Sequence, residues 1–356
     1  TAIGRSALAE NTEGYENTAI GRSALKENTT GKKNTAIGNS SLDSNTTGNN
    51  NVAVGVYSLN TNTTGSDNTA VGTSSLNYNT SGSGNVALNI KAMGATPFLF
   101  SVIGDDENGE IFKKLMPENN LWQNGILRSK ERCTTVKTRV MANNQQLLRV
   151  DREDTIDLSK SEEDNFINKI KTFLAGQNID VIILQDYNKG VLTPEVIESV
   201  IAVANKKEIP TIVDPKKQNF YSYKNCTIFK PNLSEIKAGM NIEFNSDNVA
   251  EIEDASGELR TTLNAKGVLL TLSERGICIN SEEKFTHTPA FKSNIIDVSG
   301  AGDTVVSVAS LCLASKMDYT QLSILSTLAG GIVCEEVGVV PINKDKLLTE
   351  AKKYIN

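Results

Sequence analysis

Asp297-Val298-Ser299-Gly300-Ala301-Gly302-Asp303-Thr304 runs directly into an apolar segment, residues 305–314. Two glycines around one alanine let the backbone turn tightly and leave the N–H groups of Gly300, Ala301 and Gly302 open at a helix start. Unpaired N–H groups and the helix dipole both favour an anion at such a place. A carboxylate beside it is the odd member. Asp303 fits a group that takes a proton from a hydroxyl while the N–H groups hold developing phosphoryl charge. In a second reading Asp303 caps its own helix. Other polar motifs weigh toward the first. Asp186, Asp214-Pro215-Lys216, Pro231-Asn232 and Ser273-Glu274-Arg275-Gly276 each follow a short apolar run, where a strand would end.

Regular elements must bring these motifs together. Residues 97–104, 181–186, 211–214 and 268–272 read as buried parallel strands, with helical stretches at 162–174, 194–206 and 248–264. Residues 136–142 and 146–151, joined by Asn143-Asn144, read as a β-hairpin. This alternation predicts an α/β fold, a parallel sheet with helices on both faces. Ligands in such sheets collect at the carboxyl ends of the strands.

Composition removes several function classes. The chain has 356 residues and a net charge of −6, and it lacks Lys/Arg runs, which argues against a nucleic-acid partner. No apolar run approaches the roughly 20 residues that span a bilayer. No secretory signal is visible, in a chain that opens on Thr1 rather than Met. Cys133, Cys226, Cys278, Cys312 and Cys334 are scattered without metal spacing and read as buried, reduced thiols of a cytoplasmic protein. His287 is the only histidine, which excludes Ser-His-Asp chemistry at more than one site and leaves little for zinc.

Residues 1–84 have a different texture. Asn17-Thr-Ala-Ile-Gly21, Asn34-Thr-Ala-Ile-Gly38, Asn51-Val-Ala-Val-Gly55 and Asn68-Thr-Ala-Val-Gly72 recur with a period of 17. Leu25, Leu42, Leu59 and Leu76 follow in step, and each unit ends in Asn-Thr-Thr/Ser-Gly. One short apolar strand per unit cannot bury a core alone, whereas stacked copies can, so a solenoid is predicted. Its Asn and Gly positions suit turns with positive φ, and Ala, Ile, Val and Leu are expected to point inward. The sequons at Asn28, Asn45 and Asn62 read as turn residues rather than glycosylation sites. These repeats resemble the β-roll head and stalk repeats of trimeric surface adhesins and phage-tail proteins. That resemblance implies a trimeric, structural or binding role and, alone, a surface or phage-tail setting.

Residues 85–341 resemble the ribokinase-like (phosphofructokinase-B type) carbohydrate kinases. The matching motifs are Asn85-Val-Ala-Leu-Asn89, Gly104-Asp-Asp106, Lys137-Thr-Arg139 and Asn144-Gln-Gln-Leu-Leu-Arg-Val-Asp151, then Asp186-Tyr-Asn-Lys-Gly190, Asp214-Pro-Lys216, Pro231-Asn-Leu-Ser-Glu235 and Asp297 to Thr304. The Asn144–Asp151 and Asp186–Gly190 runs are similar to the heptose 7-phosphate kinase branch, which forms the first domain of bifunctional ADP-heptose synthesis proteins.

The resemblance implies ATP-dependent phosphorylation of a sugar hydroxyl, with Asp303 as general base and Gly300, Ala301 and Gly302 around the transferring phosphoryl group. It implies that Asn232 and Glu235 organise Mg²⁺ and phosphate, partly through water, although a plain helix cap is an open alternative for Asn232. Thr271, Ser273 and Gly276 fall where the family binds nucleotide; Lys216, grouped with them, could reach an ATP phosphate or a substrate phosphate, with a solvated surface lysine as the alternative. Asn85 matches a sugar-hydroxyl ligand. Lys137, Arg139, Arg149, Asp186 and Lys189 are candidates for the rest of the sugar phosphate, with surface roles equally open for the cations. A monovalent cation is also left open.

The chain departs from the family in one respect. The strand and lid that normally precede the Asn85 turn are replaced by the repeats, so residues 85–356 are expected to form a kinase domain without its usual first strand and lid. A lost lid admits water and weakens transfer. Two readings follow: a sugar kinase carrying a repeat segment, or an adhesive repeat protein carrying an inactive kinase-like passenger. The lid of such kinases often makes a dimer, whereas the repeats favour a trimer; self-association of either kind is expected.

Overall fold

The structure is a computed structural model that describes residues 1–355 except 61, 65, 67, 68, 72–81, 143, 144, 292 and 337; the side chains of 69–71, 82, 83, 137–142 and 145–150 also lie outside it. The chain divides into two compact units, residues 1–81 with 104–115 and 130–153, and residues 82–103 with 116–129 and 154–356.

The first unit is built on the repeats. Strands β1 (Ala2–Ile3), β2 (Thr18–Ile20), β3 (Thr35–Ile37), β4 (Val52–Val54) and β5 (Thr69–Val71) form one parallel sheet in that order. Equivalent residues of successive repeats face each other, as in Ala19↔Ala36 and Ala36↔Ala53. Side chains alternate across a strand, so only one face can be inward. Ala19, Ala36 and Ala53 are wholly buried, together with Leu25 and Leu42. The expectation that Ile also points inward is corrected: Ile3 and Ile37 are 58% and 37% exposed.

Positive φ also falls elsewhere than expected. The glycines Gly21, Gly38 and Gly55 do take it, but so do Leu25, Leu42 and Leu59, at 50°, 51° and 48°. Such a backbone costs roughly 1–2 kcal/mol for an L-residue. Burying a leucine returns about 1.5–3 kcal/mol, which offsets the strain.

The repeat asparagines have another task. Asn28 donates to Asn11 Oδ1 and Asn45 to Asn28 Oδ1, each at 2.7 Å, and Asn62 donates to Asn45 Oδ1 at 2.9 Å. A parallel row links the Asn34 and Asn51 backbone N–H groups to Asn17 Oδ1 and Asn34 Oδ1, both at 2.9 Å. Asn28 and Asn45 are fully buried, so neither side chain presents itself as a glycosylation acceptor.

The same unit holds the predicted hairpin, β8 (Val136–Ala142) and β9 (Gln145–Arg152), whereas β6 (Ser101–Gly104) and β7 (Ile126–Ser129) pair with each other and belong, apart from Gly104, to the second unit. Asp106 ties the first unit internally: its carboxylate accepts from the Thr134 hydroxyl at 2.6 Å and from the N–H groups of Thr134 and Gly109 at 2.9 and 2.8 Å. Those bonds outweigh partial burial and hold its pKa below the ordinary value.

The second unit has the predicted α/β character. A six-stranded sheet runs β10 (Ile182–Gln185), β11 (Thr211–Asp214), β12 (Ile228–Phe229), β13 (Gly267–Thr271), β14 (Ile277–Ser281) and β15 (Phe285–Thr288). The first four strands are parallel and the last two antiparallel. Its helices are α1 (Gly82–Ala92), α3 (Lys160–Gly176), α4 (Pro194–Lys206), α5 (Leu233–Met240), α6 (Val249–Leu263), α7 (Ala301–Ala314), α8 (Tyr319–Val333) and α9 (Lys344–Ala351); α2 (Glu107–Glu118) begins in the first unit. The expected strand at 97–104 shortens to β6, and Asn85, expected in a turn, lies on α1.

Strand alternation divides the core of this unit in two. Val213, Phe229, Val268 and Leu270 pack with Phe166, Ile197 and Leu259 of α3, α4 and α6. Ile212, Ile228 and Leu269 pack on the other face with Val86, Val306 and Leu328 of α1, α7 and α8. Helices therefore cover both faces, and the parallel strands deliver their polar residues to one end of the sheet.

Candidate functional site

Asp303 stands in the first turn of α7, and the N-cap is Gly300, at φ 80° and ψ −1°. A Cβ at Gly300 would meet Asn85 Nδ2 at 3.0 Å and Val339 Cγ1 at 3.1 Å, so the left-handed turn and the close packing both call for glycine. Asp297 fixes the preceding loop by accepting the N–H groups of Ser299 and Gly338, each at 2.9 Å. Asp303 thus does not cap α7; its carboxylate points elsewhere.

That carboxylate is held from two sides. Asn85 Nδ2 donates to Oδ2 at 2.9 Å, and the Tyr187 phenol donates to Oδ1 at 2.9 Å, with Gln185 Nε2 a longer 3.4 Å away. Burial pushes the Asp303 pKa above its ordinary value, even though the Asn85 and Tyr187 bonds favour the charged form; nearby Asp214 adds to the rise and Lys230 opposes it. A carboxylate poised this way is a better proton acceptor than a solvated one.

The strand ends supply the surrounding charges. Asp214, the last residue of β11, pairs with Lys230 at 2.9 Å, and both side chains are almost fully buried. Gln185 Nε2 donates to the other Asp214 oxygen at 2.6 Å. Asp186 accepts the Tyr223 phenol at 2.8 Å and the Asn188 N–H at 2.7 Å. The structure therefore brings Asn85, Asp186 and Asp303 to the same strand ends, with Gln185, Tyr187, Asp214 and Lys230 between or beside them.

Asn232 and Glu235 lie at the start of α5. The Asn232 side chain accepts the Glu235 N–H at 2.8 Å, and Glu235 Oε2 accepts the Asn232 N–H at 2.9 Å, a reciprocal capping box. Lys216 closes on Glu235 Oε1. Burial lowers the Lys216 pKa, but that bond and the charges of Glu235, Asp214 and Asp186 raise it overall. Each Glu235 oxygen keeps one lone pair, so the carboxylate could still meet a hard cation or a further donor.

Among the remaining predicted residues, Thr271 ends β13 and its N–H donates to the Pro231 carbonyl at 3.2 Å. Ser273 is exposed at the start of a single 3-10 turn, Ser273–Arg275. Gly276 has φ 91°, and a Cβ there would lie 2.1 Å from the Thr288 carbonyl oxygen. Ala301 donates to Val298 O at 3.3 Å, so its N–H is not open as expected. A Cβ on Gly302 would meet nothing within 4 Å, so the turn is open on that side. Lys189 is half-buried in the loop after β10. Lys137 and Arg139 are on β8 and Arg149 on β9, opposite Arg139; their side chains lie outside the described residues.

Sequence reading did not single out Gln185, Tyr187, Tyr223 or Lys230. Tyr187 sits inside the Asp186–Gly190 motif, and Lys230 is a charge ending the apolar run Thr227-Ile-Phe229. Both signals were available. Gln185 looks like any residue of a strand. The cysteines fit an inert role: none is in a disulfide, and burial pushes the Cys226, Cys278 and Cys312 thiols up to about 12, although Cys133 is only half-buried. His287 is exposed on β15, with Nε2 2.9 Å from the Arg275 carbonyl and away from Asp303 in its contacts. Among the described residues no helix is long and apolar enough to cross a membrane.

Residues 49–346 match the model of the pfkB family carbohydrate kinases. The bifunctional protein HldE of Geobacter metallireducens is 33% identical over 261 residues, 73% of this chain and 52% of the relative. HldE of Helicobacter pylori strain P12 is 36% identical over 254 residues, 70% of this chain and 53% of the relative. The chain spans about half the length of these curated relatives. In fold it is similar to phosphofructokinase-2 of Escherichia coli in complex with potassium, with a TM-score of 0.68 at 20% identity over 76% of this chain and 86% of that one. It is likewise similar to the ribokinase of Arabidopsis thaliana complexed with ribose and ATP, with a TM-score of 0.60 at 14% identity over 75% and 86%. With a ribokinase-like sheet, a glycine turn opening α7 and a carboxylate held at the strand ends, the chain belongs to the pfkB family of carbohydrate kinases.

Proposed function

We propose that the chain transfers the γ-phosphoryl group of ATP to the anomeric hydroxyl of a heptose 7-phosphate, giving the 1,7-bisphosphate. The observation that carries the reading is Asp303, held by Asn85 and Tyr187 beside the open Gly302 turn. Asp303 takes the hydroxyl proton as the oxygen attacks, and the α7 N-terminus holds the transferring group. Asn85 and Asp186 are assigned to the sugar and Lys189 to its phosphate, while Lys137, Arg139 and Arg149, on the hairpin of the first unit, stand as sequence candidates for the same phosphate. Lys216, Thr271, Ser273 and Gly276 belong to the nucleotide side. Mg²⁺, held through water by Glu235 beside Asn232, would neutralise phosphate charge. The heptose assignment is supported by the HldE relatives, which match this region at 33–36% identity.

The repeats add a second element to the reading. The in-register parallel ladder is read as a β-roll that self-associates, supported by the outward row Ile3, Ile20 and Ile37. β10 is the edge of the six-stranded sheet among the described residues, which supports a kinase domain without the family's first strand. An alternative role as a repeat protein with an inactive passenger remains the competing outcome. The test is ATP-dependent phosphorylation of D-glycero-D-manno-heptose 7-phosphate. Bisphosphate from the wild type and none from Asp303→Asn supports the kinase; ATP binding without sugar phosphorylation sinks it and leaves the repeats as the functional part.

A further inference from the structure

We infer that Tyr187 is a positioning residue that, with Gln185, occupies one oxygen of Asp303 and so assigns proton acceptance to the other, Oδ2. The inference rests on the reading of Asp303 as the base. A carboxylate oxygen offers two in-plane lone pairs. Oδ1 faces two donors, the Tyr187 phenol at 2.9 Å and Gln185 Nε2 at 3.4 Å. Among the described residues Oδ2 faces one, Asn85 Nδ2 at 2.9 Å. The remaining lone pair is therefore on Oδ2, the oxygen shared with Asn85, whose amide packs against the Gly300 turn. A hydroxyl seated on Asn85 meets the acceptor lone pair and the anion turn together.

Tyr187 is fixed for this purpose. The residue before it, Asp186, is tied down by Tyr223 and by the Asn188 N–H. The loop closes at Gly190, φ 67°, where a Cβ would fall 1.9 Å from the Ile156 carbonyl oxygen and where the Gly190 carbonyl accepts the Leu158 N–H at 2.9 Å. Burial, then the charge of Asp303 and its hydrogen bond, push the phenol's pKa well above ordinary tyrosine, so it stays a donor across the working range. It cannot take the proton itself. Gln185 is oriented the same way, because its amide nitrogen is claimed by Asp214 and Asp303 together.

The test is Tyr187→Phe, read in two ways. The Asp303 carboxyl is titrated by infrared difference against Asp303→Asn, and the kcat–pH profile is recorded with ATP and heptose 7-phosphate. Asn85 from α1, Gln185 and Asp214 from the ends of β10 and β11, and Lys230 beyond β12 face Asp303 and are unchanged in the variant. Removing the phenol takes away a donor to the carboxylate, so the carboxyl titration and the acid limb both move to higher pH. kcat falls roughly ten- to a hundredfold with KM for both substrates little altered. Tyr187→3-fluorotyrosine, a stronger donor in the same shape, moves the titration the opposite way and covers the case in which the Phe variant folds poorly. An unmoved carboxyl titration in both variants overturns the inference, whatever the turnover. Activity surviving in Asp303→Asn instead overturns the base reading beneath it.

Discussion

At the residue scale, the two glycines of the α7 turn have separable duties. Gly300 is required by backbone and packing, whereas Gly302 faces open space. Gly300→Ala should lower stability by roughly 1–3 kcal/mol, through the left-handed φ and the contacts with Asn85 and Val339, and should abolish turnover. Gly302→Ala should leave the denaturation midpoint unchanged while its methyl enters the open side of the turn, where the transferring group is proposed to sit, lowering kcat about a hundredfold. Full turnover in Gly302→Ala would show that the phosphoryl group is held elsewhere. Asp303 itself makes a prediction in pH. Its folded pKa is raised above the ordinary 3.8, so the folded state binds more protons than the unfolded state in the window just above that value. Stability is then greatest below the unfolded pKa and is lost as pH rises through the folded one. Relative to Asp303→Asn, the wild type should lose stability as pH rises above the ordinary carboxylate value, measured by urea midpoints at successive pH values. A flat difference would mean that burial does not perturb this carboxyl.

At the element scale, the buried asparagine rows are what a single substitution can break. Asn45→Ala removes donors to Asn28 Oδ1 and Gly48 O and the acceptor that Asn62 uses. Buried polar groups left unmatched cost on the order of 1–3 kcal/mol. Each repeat leans on its neighbours, so amide exchange should quicken over residues 28–63 while the β13 amides keep their protection. Unchanged exchange in the repeats would show that the rows carry no stability. The rows also show what could be read from the chain and what could not. The period of 17 announces the ladder, because in-register stacking needs identical spacing. The inward face was misjudged at Ile, since a strand of three residues leaves the face undecided by one step and the chain resolves it by the small Ala. The α/β alternation gave strands 211–214 and helix 194–206 at their observed bounds, since each is a continuous apolar or amphipathic run closed by Pro, Asp or Lys. Asp303 was legible through its glycines. Gln185 was not, because its importance comes from strand neighbours that only the sheet order, β10 beside β11, brings within reach.

At the scale of the whole molecule, the question is whether one chain is the working particle. The outward row Ile3, Ile20 and Ile37 continues in register to Val54, giving the repeat sheet an apolar stripe. Scattered exposed isoleucines need no explanation, but a row repeated in register along a parallel ladder is the kind of surface that pairs with its own copy. Burying two such side chains against another chain gains about 1.5–3 kcal/mol each, repeated on every partner, while the inward alanines and leucines hold each ladder together regardless. The full chain should therefore sediment as a multiple of its 38.4 kDa mass. The double change Ile20→Lys with Ile37→Lys should return it to a single chain, with stability altered by no more than about 0.5 kcal/mol per site, because neither side chain is part of the buried repeat core. Kinase turnover in the double variant then separates two designs. If it persists, the site is complete in one chain and the repeats serve assembly. If it disappears with association while the fold remains, the active particle is the oligomer. A wild type that sediments at 38.4 kDa would remove the premise, and the stripe would be a solvated face.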